Sequence, residues 1–193
     1  MRALLDVNVL IALLDSDHLH HIRAMAWLQE NIQSGWASCP LTENGCIRIM
    51  SQPGYPNPLP AGAIAERLAA ATATSHHVFW PDAVSILDSG RIAWNAVLGS
   101  RQVTDGYLLA LAVQQGGRLV TLDRAVPLQA VPEARSRHLV VILISRRGRR
   151  FNGCLPATRP RRHRRGRPVA LPALRQSPPI QPTRCHNQLP ITT

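Results

Sequence analysis

Four acids, Asp6, Glu43, Asp105 and Asp123, stand where carboxylates from distant parts of a chain can act together. Asp6 and Asp123 each close a short apolar run, while Glu43 and Asp105 fall at the starts of helical patterns. In a parallel α/β sheet, strand C-termini and the helices that follow them share one edge, where sites usually form. Two ionised carboxylates about 4–5 Å apart repel by roughly 3–4 kcal/mol at an effective dielectric of about 20. Four together therefore call for divalent cations or for raised pKa values. Oxygen-only donors favour Mg²⁺ or Mn²⁺ over zinc. A cation held there activates water and neutralises charge on a phosphodiester during in-line attack. Asn8, two residues after Asp6, and Thr104, beside Asp105, are placed to hold carboxylates or the attacking water.

Each acid also has an ordinary structural reading. Asp6 can be a turn or N-cap residue, and Glu43 a helix acid stabilised by the dipole. Asp105 can serve only as a first-turn acid after Thr104. Asp123 can form a surface pair with Arg124, worth little. His18, His20 and His21 invite a zinc reading, but only His18 and His21 share a helical face, and no cysteine or further histidine sits at zinc-like spacing.

The elements that must position these residues alternate between strand and helix. Arg2 to Leu5 reads as a buried strand, and Val7 to Leu14 as a helix. A second helix runs from an N-cap at Asp17 to about Gln33, with Ile22, Met25, Leu28 and Ile32 as its apolar stripe. Trp36 to Cys39 is a short strand, and Pro40 begins a helix reaching Met50. The proline-rich stretch from Gln52 to Pro60 is a loop. Ala61 to Thr74 is helical, and Val78 to Trp80 is a strand. Short helices follow over Ala83–Leu87 and Ile92–Leu98. After the polar loop Gly99–Gln102, Thr104 N-caps a helix over Asp105–Gln115. Arg118–Leu122 and Leu139–Ile144 complete the strands. Strands alternating with helices imply an α/β/α sandwich around a central parallel sheet.

Composition narrows the chemistry. All 22 basic residues are arginine, and the absence of lysine removes Walker-A, Schiff-base and lysine general-base mechanisms. The net charge of +11 divides unevenly: residues 1–144 sum to −1, whereas 145–193 hold 12 arginines, no acid and 8 of the 16 prolines. The body thus reads as one domain over 1–144, and 145–193 as a disordered Arg/Pro-rich tail. The tail has three readings: a nucleic-acid-binding arm, an inert extension, or a GC-rich gene read in a shifted frame, the last being favoured. Cys39 and Cys46 read as buried free thiols. Asp6 and Asn8 interrupt the N-terminal apolar run, and no stretch has the length of a membrane span, so a soluble cytoplasmic protein is expected.

Three stretches carry a family resemblance. Leu4-Leu5-Asp6-Val7-Asn8-Val9-Leu10-Ile11-Ala12-Leu13 resembles the opening of PIN-domain ribonucleases. Thr42-Glu43-Asn44-Gly45, with Arg48 after it, is similar to that family's second acidic helix. Gly99-Ser100-Arg101-Gln102-Val103-Thr104-Asp105-Gly106-Tyr107-Leu108, followed by Leu119-Val120-Thr121-Leu122-Asp123, resembles its most distinctive segment. The chain is similar to the VapC toxins of bacterial toxin–antitoxin pairs. The resemblance implies a Mg²⁺- or Mn²⁺-dependent endoribonuclease whose acidic quartet is Asp6, Glu43, Asp105 and Asp123. It also implies a cognate antitoxin that blocks the pocket, and a homodimer. Gly106 departs from the family, where alanine is more frequent. Arg101, in the loop before Asp105, can hold an RNA phosphate or remain a surface arginine.

A rival expectation is a catalytically degenerate nucleic-acid-binding protein that uses its arginine tail. A phosphotransferase of the haloacid-dehalogenase type, suggested by Asp6 after a first strand, would want a second aspartate where Asn8 stands. It would also want a lysine, and the chain has none.

Overall fold

In the computed structural model, which describes residues 1–142, five short apolar runs become strands: β1 (Ala3–Leu5), β2 (Trp36–Ser38), β3 (His77–Phe79), β4 (Arg118–Thr121) and β5 (Leu139–Val141). All pair in parallel, in the order β3-β2-β1-β4-β5. The central strand β1 is closed off on both faces, with Ala3, Leu4 and Leu5 all buried, which is why its sequence is continuously apolar and does not alternate.

Alternating strand residues feed two separate layers. Leu4, Ala37 and Leu119 pack with Leu108, Leu109 and Leu111 of helix α5 (Arg101–Gln114). Ala3, Leu5, Trp36 and Val120 pack on the opposite face with α1 (Val7–Leu14), α3 (Pro40–Met50) and α4 (Ala61–Thr72). Helix α2 (His21–Asn31) adds Trp27 and Leu28 to that second layer. Truncating a fully buried leucine of either layer costs about 2–5 kcal/mol. The α/β/α reading therefore holds. Cys39 and Cys46 are buried free thiols, and burial pushes the Cys46 thiol up to about 12. No described helix is long and apolar enough to cross a membrane.

Several boundaries differ from the sequence expectation. Helix α2 starts at His21, not after Asp17, whose side chain instead accepts a hydrogen bond from Asn57 Nδ2 at 3.3 Å. Ile22, expected on the apolar stripe, is 82% exposed. Of the two helices expected between Ala83 and Leu98, only a 3-10 turn at Trp94–Ala96 forms. Here Val84, Ile86 and Val97 dock individually on the α5 layer, and Ala93 N–H bonds to the Ala130 carbonyl at 2.9 Å, so no helical ladder can run through. Helix α5 begins at Arg101, four residues before Asp105, so Thr104 lies inside it, exposed, and is no N-cap. Gln102 secures that earlier start: its Oε1 accepts from Leu98 N–H at 2.7 Å, and its Nε2 donates to the Ala125 carbonyl at 3.0 Å. The expected tail over 145–193, and the end of the last strand at Ile144, lie outside the described residues.

Candidate active site

Asp6 is the residue at which β1 ends and α1 begins. Its N–H donates to the Val120 carbonyl of β4 at 2.9 Å, which carries the strand pairing one residue further. Its Oδ1 accepts from Val7 N–H at 2.6 Å, so the N-cap reading is correct. That leaves Oδ2, which takes hydrogen bonds from Thr121 Oγ1 at 2.6 Å and Asn8 Nδ2 at 2.7 Å. Burial raises the Asp6 pKa, these donors oppose the rise, and the charge of Asp123 adds to it; the net shift is upward.

The same small network reaches the end of β4. Thr121 Oγ1 accepts from Asp123 N–H at 2.9 Å and from Asn8 Nδ2 at 3.0 Å, while Asn8 Oδ1 accepts from Leu122 N–H at 3.0 Å. Asp123 Oδ1 accepts from Ala125 N–H at 2.8 Å, an Asx turn that bends the chain away after the strand. Asp123 forms no ion pair with Arg124 among the described residues, so the surface-pair reading of this acid is not what holds it.

Asp105, one turn inside α5, faces the same region. Burial, then the charges of Asp6 and Asp123, push its pKa up to about 6. A cavity of about 550 Å³ opens beside Asp105 and Asp123, rimmed by Leu98–Gln102 at the head of α5 and by Ala125. Arg101 is exposed on that rim.

Glu43 sits apart from this trio in its bonding. It occupies the first turn of α3, after Pro40 at the helix start, where the dipole favours an acid. Its Oε1 accepts from Ser38 Oγ at 2.5 Å. The structure thus brings Asp6, Asp105 and Asp123 within electrostatic reach of one another and ties Glu43 to the end of the neighbouring strand β2. Among the described residues no three acidic, histidine or cysteine side chains close into a ready-made ligand cluster. The donor set is nonetheless all oxygen, and its mutual repulsion is what a hard divalent cation would relieve.

Two residues of this edge went unremarked in the sequence. Thr121 and Ser38 are fully buried hydroxyls at the C-terminal ends of β4 and β2. Their signal is a polar side chain closing an otherwise apolar strand, two residues before Asp123 in one case and five before Glu43 in the other.

A parallel sheet carrying aspartates at the C-terminal ends of its central strands, with a third from helix α5, which leads into β4, defines the class: the chain belongs to the PIN domain family, whose model matches residues 3–133. Within it, the chain is 53% identical to Ribonuclease VapC44 of Mycobacterium tuberculosis over 142 residues, which is 74% of this chain and 100% of that protein. It is 47% identical to Ribonuclease VapC39 of the same organism over 128 residues, covering 65% of this chain and 91% of that one. Among solved structures, VapC20 of M. tuberculosis, described as a sarcin–ricin-loop-cleaving toxin, aligns at 11% identity and a TM-score of 0.48, covering 69% of this chain and 98% of that one.

Proposed function

We propose that this protein is a VapC-type toxin, an endoribonuclease that hydrolyses RNA phosphodiester bonds with Asp6, Glu43, Asp105 and Asp123 as its acidic set. The observation that carries the reading is the approach of Asp6, Asp105 and Asp123 at one sheet edge beside an open cavity, close enough for two of them to raise the pKa of the third. The 53% identity to a protein named as a ribonuclease supports it.

In this reading the acids hold Mg²⁺ or Mn²⁺, which supplies charge neutralisation at the phosphodiester and activation of the attacking water. Asn8 and Thr121 fix the Asp6 carboxylate, leaving its orientation little freedom. Arg101, on the cavity rim, meets an RNA phosphate with a planar, permanently charged donor fork. Thr104, next to Asp105 in sequence, is exposed on the first turns of α5, where its hydroxyl is free to meet substrate or water. Residues 1–144 form the nuclease domain. The partner set comprises RNA, a cognate antitoxin covering the cavity, and a second copy of the chain in a homodimer; the cytoplasm is the compartment.

The test is metal-dependent cleavage of RNA by the purified protein, abolished by chelation and restored by Mg²⁺ or Mn²⁺. Asp6→Ala and Asp105→Asn should abolish cleavage while circular dichroism stays native. Wild-type cleavage by either variant sinks the assignment. A degenerate binding protein that uses its arginine tail is not favoured, because relatives of this chain are named as ribonucleases. Deleting 145–193 should leave cleavage unchanged.

A further inference from the structure

Glu43 is bonded apart from the network that joins Asp6 to Asp123. Ser38 Oγ lies 2.5 Å from Glu43 Oε1 and 2.8 Å from His77 Nε2, and Ser38 itself is fully buried. A hydroxyl has one hydrogen to give, and a carboxylate only accepts. The Ser38 hydrogen therefore goes to Glu43, and the contact with His77 requires a hydrogen on the ring nitrogen Nε2. We propose that Ser38 and His77 are positioning residues for Glu43, joined in a one-way hydrogen-bond chain from His77 Nε2–H through Ser38 Oγ–H to Glu43 Oε1.

The surrounding structure holds the ring and the hydroxyl together. Parallel pairing sets Trp36 beside His77 and Ser38 beside Phe79, so β2 and β3 hold hydroxyl and ring in register. The buried Trp36 packs on the His77 ring with centroids 4.4 Å apart and planes at 53°, which restricts ring rotation. Burial draws the His77 pKa down; Glu43 and the Thr72 carbonyl act against it, and Arg2 acts with it. Glu43 stays on α3 with one oxygen committed to the chain and its other oxygen uncommitted to any described donor. Carboxylates and imidazoles of metal sites are commonly oriented in this way by a second layer of partners, whose loss costs about 10–100-fold in metal affinity or activity.

The inference rests on Glu43 belonging to the acid set, and its test separates the two. In metal-free wild-type protein, long-range ¹H–¹⁵N spectra of the His77 ring should show the hydrogen on Nε2; an Nε2 without hydrogen overturns the chain. Mn²⁺ titration calorimetry then reads affinity directly, without turnover. Ser38→Ala and His77→Leu should each weaken Mn²⁺ binding about 10-fold or more. His77→Gln, whose amide N–H reaches the place of Nε2, should recover most of the loss. In a Glu43→Gln background, Ser38→Ala should add less than about twofold, because coupled residues do not add. Weakened binding by Glu43→Gln with wild-type affinity in Ser38→Ala overturns the positioning role alone. Wild-type affinity in Glu43→Gln removes Glu43 from the acid set, and the positioning role falls with it.

Discussion

The acid edge has two halves that are built differently. At the β1–β4 junction, Asp6 accepts from a backbone N–H, a threonine hydroxyl and an asparagine amide, and Thr121 passes the same network on to Asp123. At the β2–β3 junction, Glu43 accepts at one oxygen from a single serine, itself backed by a histidine ring. Asp105 lies on the helix packed over the first half and receives no side-chain hydrogen bond among the described residues; it feels burial and two like charges. The difference shows two ways to keep carboxylates close without a counter-ion. At Asp6 donors from the strand ends stabilise the charged form and oppose the rise that burial imposes, whereas at Asp105 nothing opposes it and the pKa climbs to about 6.

The largest effects should come from removing members of the first half. Asp6→Ala or Asp105→Asn should lower RNA cleavage by more than the roughly 10–100-fold expected for an outer partner, measured by initial rates at saturating Mn²⁺. Next should come Thr121→Val, which keeps the shape of the side chain while deleting the donor to Asp6 and the acceptor for Asp123 N–H. Its expected cost is about 10–100-fold in Mn²⁺ affinity, with about 1–3 kcal/mol lost in urea unfolding because buried polar partners are stranded. A Thr121→Val protein with unchanged affinity would erase the contrast between the two halves.

How much of this was legible in the chain follows from what each signal measures. The strands announced themselves because β1 and the middle of β4, Leu119 and Val120, are buried on both faces and must be apolar there, and the acids just beyond them were visible for the same reason. Thr121 and Ser38 were invisible as site residues because a hydroxyl in a short strand carries no periodicity; its role exists only once the neighbouring strand is known. The order β3-β2-β1-β4-β5 is likewise a property of pairing and not of any one segment. The Asp17 and Thr104 caps failed because a capping residue predicts a helix start only when nothing competes. Asp17 was taken by Asn57, and the Gln102 bonds to Leu98 and Ala125 moved the α5 start a turn earlier. The stretch 83–98 misled because apolar residues docking singly on a core mimic a helical stripe.

A subtler effect follows from Asp105. Its folded pKa of about 6 lies above the ordinary aspartate value of 3.8, so folding favours its protonated form. That contribution to stability is present below about pH 4 and is lost as pH rises through 6. Asp105→Asn removes the ionisation, so in metal-free protein it should raise Tm at pH 8 and match wild type near pH 4. The residue is partly exposed, and solvent screening reduces the effect to about 1 kcal/mol, or roughly 3–5 °C for a domain of this size. Scanning calorimetry at the two pH values checks it; equal Tm values at pH 8 would mean that the three aspartates do not strain one another. Mn²⁺ affinity of the metal-free protein should fall as pH drops through 6, when the acid that would meet the cation becomes protonated, a titration that calorimetry reads directly.

The smallest expected effect lies one residue further along, at Gly106. A methyl group added there would meet only Ile92 Cδ1, at 3.7 Å, an ordinary van der Waals contact. The residue is buried in the middle of α5, where glycine costs about 0.5–1 kcal/mol relative to alanine by leaving the unfolded chain more freedom. Gly106→Ala should therefore stabilise the domain by about that amount in urea unfolding, with cleavage unchanged, since Asp105 keeps its backbone. Gly45 is the counter-case. A methyl group there would lie 2.7 Å from Val7 Cγ2, at the packing of α3 on α1, so Gly45→Ala should destabilise by about 1–3 kcal/mol. Opposite signs at two buried helical glycines, one beside Asp105 and one beside Glu43, would show that α5 has slack over the aspartate trio. The α3–α1 contact that carries Glu43 has none. If Gly106→Ala instead lowers stability or slows cleavage, α5 is as tightly constrained as α3 and the contrast in packing between the two halves fails.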